Sequence, residues 1–252
     1  SIDGNICRCT GYKSIERAAE KIIEKVNLDF DKISISGLAK AGYIPEYFEN
    51  IATRLTDIQP ITNPIQNGTK LGGGSDLYVQ KPVEMYEKEA VAVYDSPKLN
   101  QIKIENGVCT FGASLTMGDL YRSEIFQKAL PDSTYVFKLL SSTQIRNMAT
   151  IGGNLVNASP IGDFTILLLG LDANIVLKKE GESRKVALKD FYKGYKITDL
   201  KEGEYLAEIE FKIPKSNEYH FEKVSQRKYL DIASVNFASS FEIDENNLIR
   251  NI

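Results

Sequence analysis

Residues 145–154 read Ile145-Arg146-Asn147-Met148-Ala149-Thr150-Ile151-Gly152-Gly153-Asn154, and Ala158-Ser159-Pro160 and Asp163 follow shortly after. Glycines let backbone amides come close to an anion, and several N–H groups can then point in one direction, as a pyrophosphate requires. We therefore interpret Gly152-Gly153 as a glycine-rich turn that can contact a phosphate group. An ordinary turn is the alternative interpretation.

A second glycine-rich stretch lies upstream, at Leu71-Gly72-Gly73-Gly74-Ser75-Asp76-Leu77. The dinucleotide-binding pattern G-x-G-x-x-G fails here because Leu77 stands where the third glycine is required. The phosphate-binding loop of nucleotide hydrolases fails as well, because Gly74 stands where its lysine is required. The stretch therefore indicates neither a Rossmann site nor a Walker site.

Together, the two stretches resemble the two phosphate-binding segments of the FAD domain in molybdenum hydroxylases, the xanthine dehydrogenase and aldehyde oxidase family. Two departures are mild, since Gly72 replaces the family's usual alanine and Ser75 its usual threonine, and neither removes a backbone donor. By position, the resemblance implies that FAD contacts Lys70, Leu71, Gly72, Gly73, Gly74, Ser75 and Asp76 in the first segment, and Thr150, Gly152, Gly153, Asn154 and Asn157 in the second.

The same resemblance implies further FAD contacts downstream. Asp163 corresponds to the acid that holds ribitol or ribose hydroxyls; the N-cap of the following helix is its alternative role, and the two roles are compatible. Leu206 corresponds to an apolar residue near the isoalloxazine ring, and Leu140 and Ser141 align with residues that border the ring. Lys223 corresponds to a lysine near the pyrimidine edge, where a cation would stabilise negative charge on the reduced ring. A solvated lysine on a charged face is the alternative.

The N-terminal stretch Gly4-Asn5-Ile6-Cys7-Arg8-Cys9-Thr10-Gly11-Tyr12 contains two thiols, and thiolates are the usual ligands of iron–sulfur iron. Two incidental cysteines are the alternative interpretation. The stretch closely resembles the end of the 2Fe-2S domain of the same family, which implies that Cys7 and Cys9 are two of four cluster ligands. The remaining cysteine, Cys109, falls on a predicted buried strand and is expected to pack there. The missing ligands are therefore expected upstream of Ser1.

Composition excludes several other classes of protein. The chain has 252 residues, with 31 basic and 34 acidic side chains and a formal charge of −3. This balance gives no basic surface for a phosphate backbone, so no nucleic acid is expected as a partner. The longest apolar run, residues 164–171, is far below the roughly 18 residues that a membrane span needs. Three cysteines cannot form a disulfide framework, which favours a reducing compartment and a cytoplasmic location.

Hydrophobic patterning predicts helices at 14–26, 116–130, 134–140 and 164–169, and strands at 91–94, 101–105, 108–112, 173–179, 204–213, 219–224 and 234–242, with a further strand beginning at 248. Asn106-Gly107 predicts a tight hairpin. Because helices and hairpin-linked strands are interspersed without a strict βαβ rhythm, we predict an α+β fold rather than a doubly wound sheet.

The resemblance divides the chain into four parts. Residues 1–26 are expected to end an all-α 2Fe-2S helical-bundle domain, and 27–59 to form a linker or an irregular first lobe. Residues 60–216 are expected to form a two-lobed FAD-binding domain of the vanillyl-alcohol oxidase type, and 217–252 to begin a truncated C-terminal subdomain. The chain is expected to be a fragment, since Ser1 is not a methionine and the last strand looks cut.

The implied function is that of an FAD-binding electron-transfer component of a molybdenum hydroxylase. Xanthine dehydrogenase is favoured because iron–sulfur and FAD modules share one chain. The resemblance implies a hetero-oligomer with a large subunit that carries the molybdenum cofactor, and NAD or dioxygen as the electron acceptor. No catalytic side chain is assigned to this chain. The alternatives are the FAD subunit of a carbon monoxide dehydrogenase or aldehyde oxidase type enzyme, a stand-alone flavin oxidoreductase of the same fold, and a flavin-free docking module.

Overall fold

The computed structural model describes residues 13–25, 33–58, 68–94, 96–215, 218–246 and 248–251. The chain divides into two compact units, residues 1–62 and residues 63–252. Each unit is described by itself below.

The described residues of the first unit form short helices. They are α1 (Lys13–Lys25), α2 (Ile35–Lys40), a 3-10 helix (Glu46–Asn50) and α3 (Ile51–Thr56). The predicted helix at 14–26 is confirmed by α1. The Ser34 hydroxyl caps α2 by accepting a hydrogen bond from the Gly37 amide at 3.0 Å. The stretch interpreted as a linker thus contains two helices and a 3-10 helix, which the sequence pattern missed because glycines and prolines interrupt it.

The second unit contains the remaining elements. Its first half consists of β1 (Thr69–Leu71), α4 (Leu77–Gln80), α5 (Pro82–Glu87), β2 (Ala90–Ala92), β3 (Ile102–Glu105), β4 (Val108–Gly112), α6 (Met117–Arg122), α7 (Glu124–Ala129), α8 (Ser133–Leu139), α9 (Thr143–Met148), α10 (Ile151–Val156) and α11 (Asp163–Gly170). Its second half consists of β5 (Asn174–Lys179), β6 (Glu182–Ala187), α12 (Leu188–Phe191), β7 (Tyr192–Gly194), β8 (Ile197–Thr198), β9 (Tyr205–Lys212), β10 (Tyr219–Val224), β11 (Val235–Ser240), β12 (Glu242–Ile243) and β13 (Ile249–Asn251).

A five-stranded antiparallel sheet organises this unit, in the order β3-β4-β9-β5-β6. One face is apolar and buried, as the full burial of Phe111 and Ile175 illustrates. The opposite face is polar and carries the ion pair between Lys178 and Glu208. This alternation is the period-two pattern of a half-buried sheet. Together with the helices, it confirms the predicted α+β fold.

The predicted hairpin joins β3 to β4. Asn106 and Gly107 have φ angles of +51° and +76°, and two consecutive positive φ angles are the signature of a type I′ turn, which matches the twist of the flanking strands. The register pairs Glu105 with Val108 across a two-residue loop. The hairpin prediction is therefore confirmed.

A chain of phenylalanine rings links the sheet to the helices that cover it. The Phe111 and Phe126 rings meet edge to face at 5.5 Å, Phe126 and Phe137 lie 5.9 Å apart, and Phe137 stacks on Phe164 at 5.8 Å. These rings come from β4, α7, α8 and α11 in turn. Such aromatic contacts add to the area that each ring buries. They hold the first turn of α11, which begins at Asp163, against the core.

Cys109 lies in this core on β4 and is fully buried. Burial raises the pKa of its thiol to about 12, because an apolar surrounding disfavours the thiolate. The thiol therefore stays protonated near neutral pH. The prediction that Cys109 has a packing role is confirmed.

Around the sheet, one predicted helix is divided and one strand has no counterpart among the predicted elements. The helix predicted at 116–130 is broken at Ser123, whose hydroxyl accepts a hydrogen bond from the Phe126 amide and so starts α7 afresh. Strand β6 was not predicted, because Glu182–Ala187 places few apolar residues on an exposed sheet edge. Both features depend on interactions that hydrophobic periodicity does not record.

Arg184 links β6 to the loop that precedes β9 through hydrogen bonds to two carboxylates. Its guanidinium donates to both carboxylate oxygens of Glu204 at 2.7 Å and to the Asp199 carboxylate at 2.6 Å. The Glu204 side chain is only 10% exposed. The hydrogen bonds from Arg184 lower the pKa of Glu204 from its ordinary 4.5 to about 2. The same guanidinium lowers the pKa of Asp199.

Glu204 should therefore make the protein sensitive to acid. Its folded-state pKa is depressed, so its contribution to stability is complete above pH 4.5 and is lost as the pH falls towards about 2. Replacing Glu204 by glutamine should lower the unfolding free energy near neutral pH and flatten its decline in acid. Urea unfolding measured from about pH 7 to about pH 3 checks this. Glu182→Gln, at an exposed position on β6, should leave the curve unchanged; equal slopes for wild type and Glu204→Gln would contradict the prediction.

Candidate functional site

The first glycine-rich segment, residues 70–76, connects β1 to α4. Lys70 and Leu71 are half-buried on β1, where they pair with β2 in a parallel ladder. Burial lowers the pKa of Lys70. The segment then turns, and Gly74 takes a φ angle of +69°. The Asp76 carboxylate accepts a hydrogen bond from the Gln80 side chain at 2.8 Å.

The backbone amides of residues 72–76 have no acceptor among the residues that the structure describes. None of the N–H groups of residues 72–76 donates a hydrogen bond within the part of the chain that the structure describes. Successive amides around a residue with positive φ form a concave group of donors that suits an anion. The first segment thus offers what a pyrophosphate needs.

The second segment, residues 150–157, is held against the residues that follow β4. The Ile151 amide donates to the Leu115 carbonyl at 2.8 Å, and the Gly152 amide donates to the Ala113 carbonyl at 2.8 Å. A Cβ atom on Gly152 would lie 2.9 Å from the Ala113 Cβ, which is closer than carbon atoms normally approach. Gly152 is therefore required for this close packing.

The prediction of a glycine-rich turn at Gly152-Gly153 is wrong, because both residues belong to the first turn of α10. Thr150 is the N-cap, and its hydroxyl accepts a hydrogen bond from the Gly153 amide at 3.2 Å. The first three amides of the helix are thus committed to protein acceptors. The local sequence does not indicate this helix, because a glycine pair is more typical of a turn than of a helix start.

The two segments, far apart in sequence, touch each other. A Cβ atom on Gly73 would overlap the carbonyl oxygen of Met148, and one on Gly72 would overlap the Thr150 hydroxyl. Only glycine fits at these two positions. The structure therefore places the unpaired amides of residues 72–76 directly beside Thr150 and the start of α10.

The two asparagines of the second segment have different surroundings. The Asn154 Oδ1 atom is buried and has no hydrogen-bond partner among the described residues. A buried polar atom of this kind costs free energy unless something pairs with it. Asn157 lies at the end of α10, and its Oδ1 atom accepts a hydrogen bond from the Lys196 ammonium at 3.0 Å. Asn154 is thus the second feature, after the amides, that fits a bound polar ligand.

Asp163 forms a buried ion pair with Lys223, across 60 residues of sequence. One carboxylate oxygen lies 2.7 Å from the Lys223 Nζ atom, and the other accepts a hydrogen bond from the Asn236 side chain at 2.7 Å. The two side chains of the ion pair are 11% and 3% exposed. Gly162 is the N-cap of α11 and Asp163 its first residue, so the alternative role of Asp163 as an N-cap is wrong.

The Lys223 ammonium uses all three of its N–H donors on the protein. Besides Asp163, it donates to the Leu139 carbonyl at 3.0 Å and to the Asp231 carbonyl at 2.8 Å. This geometry contradicts the alternative of a solvated lysine on a charged face. Lys223 joins α8, α11 and the loop between β10 and β11.

Leu206 is 6% exposed on β9, opposite Leu177 of β5. The strand bulges beside it, because the register shifts between Val176 and Leu177. The neighbouring Ala207 carbonyl accepts a hydrogen bond from the Ala113 amide at 2.9 Å. The Ala113 carbonyl in turn accepts a hydrogen bond from the Gly152 amide. Ala113 therefore connects β9, which carries Leu206, to the second segment.

Some residues around the Lys223–Asp163 pair carry no sequence feature that would predict their contacts. Asn236 lies on a predicted strand without a distinguishing neighbour, and the carbonyls of Leu139 and Asp231 have no side-chain signature. Arg146 belongs to the stretch of residues 145–154, yet its position in that sequence predicts no role for it. A fold is needed to see that its guanidinium contacts the backbone after α8.

A family model described as the FAD binding domain in molybdopterin dehydrogenase matches residues 43–216. This match covers more than half of the chain. The chain belongs to this family. The expectation of an α+β FAD-binding domain of the molybdenum hydroxylases is thereby confirmed, and the unpaired amides and the orphaned Asn154 oxygen fit the cofactor that the family binds.

Curated relatives of this FAD-binding domain include subunits of several dehydrogenases. The chain is 27% identical to the glyceraldehyde dehydrogenase medium chain of Sulfolobus acidocaldarius, and the match covers 73% of this chain and 66% of that one. It is 31% identical to the xanthine dehydrogenase/oxidase of Gallus gallus over 73% of this chain and 14% of that one. The match thus spans less than two thirds of the length of either relative.

Solved structures share the fold of this FAD-binding domain. A carbon monoxide dehydrogenase chain from Hydrogenophaga pseudoflava superimposes with a TM-score of 0.65 at 25% identity, over 81% of this chain and 68% of that one. The quinoline 2-oxidoreductase from Pseudomonas putida 86 gives a TM-score of 0.63 at 25% identity, over 70% of this chain and 61% of that one.

Two sequence-based expectations concern features other than FAD. Cys7 and Cys9 lie outside the described residues, so the predicted cluster ligands stay a prediction. In the described ranges, no group of three or more His, Cys, Asp and Glu side chains could hold a metal ion. None of the helices described by the structure is long and apolar enough to span a bilayer.

Proposed function

We propose that this chain is the FAD-binding electron-transfer component of a molybdenum hydroxylase. In this role it receives electrons from 2Fe-2S clusters and passes them to NAD or dioxygen. A large partner subunit would carry the molybdenum cofactor, in a cytoplasmic hetero-oligomer. The observation that carries the proposal is the contact between the two segments, which sets the unpaired amides of residues 72–76 beside Thr150.

The proposed FAD contacts follow from this geometry and the sequence resemblance. The amides of residues 72–76 would hold the pyrophosphate, since backbone donors preorganised around an anion lose little entropy on binding it. The orphaned Asn154 oxygen would accept a hydrogen bond from a cofactor hydroxyl or amine. The Asp163 carboxylate would accept a hydrogen bond from a cofactor hydroxyl, because its oxygens keep lone pairs that Lys223 and Asn236 do not use. Leu206 would supply an apolar contact to the ring.

FAD supplies the redox chemistry when bound, because its ring can accept and release electrons. The protein's part is to hold the ring and to shape the charge around it. Lys223 is proposed near the pyrimidine edge, where its charge acts through space, since its three N–H groups are used by the protein.

Xanthine dehydrogenase is our first choice of enzyme class, because the stretch from Gly4 to Tyr12 resembles the end of a 2Fe-2S domain on the same chain. Cys7 and Cys9 would then be two cluster ligands, and α1 the last helix of that domain. Residues 60–216 would form the FAD-binding domain, with 217–252 opening a further subdomain. A carbon monoxide dehydrogenase or aldehyde oxidase type enzyme is equally compatible with the relatives, whose medium chains match to a similar degree.

The test is an absorption spectrum of the protein purified from its natural source with its partners, before and after dithionite. Released cofactor is identified by chromatography, and iron and acid-labile sulfide are assayed. Bleachable flavin bands with released FAD, iron and sulfide on the polypeptide containing this chain would support the proposal. Flavin without iron on that polypeptide would favour the stand-alone flavin oxidoreductase, and a folded protein without a chromophore would favour the docking module.

A further inference from the structure

Three consecutive backbone carbonyls at the C-terminal end of α8 each accept a hydrogen bond from a side-chain cation. The Lys223 ammonium donates to the Leu139 carbonyl at 3.0 Å. The Arg146 guanidinium donates through one nitrogen to the carbonyls of Leu140 and Ser141, both at 2.6 Å. Its other terminal nitrogen donates to the Thr143 hydroxyl at 2.9 Å. We call residues 139–141, with these two cations, the carbonyl clamp.

The clamp compensates for an unfavourable helix end. The last carbonyls of a helix have no partner within it and form the negative end of its dipole, so cations there are stabilising. Glycine commonly follows such an end with a positive φ angle, yet here Ser141 takes a φ of +37°. A side chain with a Cβ atom avoids this region unless surrounding contacts hold it there. The guanidinium, with its rigid fork of donors, supplies those contacts.

The clamp is joined to the proposed cofactor site through one ammonium. Lys223 Nζ contacts the Leu139 carbonyl and the Asp163 carboxylate at the same time. A shift of residues 139–141 would therefore remove one of the three acceptors that position Lys223. Because Lys223 is almost fully buried, it has no solvent partner to replace a lost carbonyl.

We propose that Arg146 is a positioning residue of the cofactor site: its guanidinium fixes residues 139–141 and thereby the Lys223–Asp163 pair, without itself touching the cofactor. The inference rests on the proposed function, in that the site it supports is the one proposed to bind FAD. The clamp itself exists independently of the ligand's identity.

The test compares Arg146→Ala with Arg122→Ala in the purified complex. Arg122 is a matched control because it also reaches an oxygen of α9, the Asn147 side chain at 3.0 Å, but touches no residue of the clamp. Dissociation of FAD is measured by fluorescence, and hydrogen exchange is measured in apoprotein over residues 138–147. Arg146→Ala should weaken FAD binding about tenfold, because the Lys223–Asp163 pair loses part of its support, and should speed exchange within 138–147 alone.

Two further measurements separate positioning from general stability. Millimolar guanidinium chloride, compared with equal sodium chloride, should restore part of the FAD affinity of Arg146→Ala by refilling the vacated site. Arg146→Lys should fall between wild type and alanine, since one ammonium cannot span two carbonyls and a hydroxyl. Should Arg146→Ala fail to fold, Arg146→Lys carries the comparison of exchange and affinity.

The outcomes are distinguishable. Wild-type FAD affinity in Arg146→Ala, unchanged exchange over 138–147, or faster exchange spread over the whole domain without guanidinium rescue would overturn the inference. A wild-type protein that holds no FAD would defeat the proposed function. Hydrogen exchange in the apoprotein would then be the remaining test of whether Arg146 holds residues 139–141. Added guanidinium should again slow the exchange in Arg146→Ala.

Discussion

Replacing Gly73 by alanine is expected to reduce FAD affinity at least about a hundredfold. The added Cβ atom would overlap the Met148 carbonyl oxygen, a backbone atom that cannot turn aside. The first segment must then move away from residues 148–150, and its amides lose their common direction. Losing two hydrogen bonds to a charged phosphate costs about 3 kcal/mol or more, which corresponds to about a hundredfold in affinity. Equilibrium titration of apoprotein with FAD measures the effect.

Gly194→Ala is the matched control, because a Cβ atom there would meet nothing closer than the Ile197 side chain at 3.6 Å. It should bind FAD as the wild type does. A thermal unfolding scan of both variants checks that the loss in Gly73→Ala comes from the site and not from global unfolding. Unchanged FAD affinity in a folded Gly73→Ala protein would contradict the placement of the two segments against each other.

Replacing Lys223 by methionine is expected to lower the free energy of unfolding by about 3–5 kcal/mol. The substitution keeps the chain length and removes the cation, which leaves the Asp163 carboxylate buried with the Asn236 amide as its remaining side-chain partner. Breaking one side of a buried ion pair is costly because the remaining charge has lost both its partner and its water. Denaturant unfolding of the apoprotein measures the change.

The same substitution at Lys178 is the control, because this lysine pairs with Glu208 on the polar face of the sheet and is 36% exposed. A pair with this exposure contributes about 0–1 kcal/mol. The double variant Lys223→Met with Asp163→Asn should recover part of the loss, since no unpaired charge then remains. A Lys223→Met variant as stable as Lys178→Met would mean that Lys223 is not buried beside Asp163 in solution.

The elements that were predicted correctly are those specified by neighbouring residues. The Asn106-Gly107 turn, the apolar helix α11 and the central strands β4, β5 and β9 follow from short patterns, because turn geometry, an apolar run and the alternation of a strand each act within a few residues. The break at Ser123 was not predicted because it depends on a hydroxyl that caps α7. The edge strand β6 was not predicted because it depends on pairing with β5.

The candidate site divides in the same way. Its location in sequence came from the resemblance carried by residues 71–77 and 145–163, and the family match confirms the FAD-binding domain. The roles of the individual residues stay proposals. The amides of Gly152 and Gly153 show why a motif alone does not assign a role. The sequence predicts that both are free to bind phosphate, whereas in the structure both donate hydrogen bonds to protein oxygens.

Local patterns and motifs are properties of neighbouring residues, and they were enough to predict the fold class, the family and the two glycine-rich segments. The folded chain adds three contacts that no pattern predicts: Gly73 packs against the Met148 carbonyl, Lys223 pairs with Asp163 across 60 residues, and Arg146 binds the backbone after α8. These contacts join distant parts of the chain, and several of them end on a backbone carbonyl. Every residue carries such a carbonyl, so the amino-acid sequence does not mark the ones that are used.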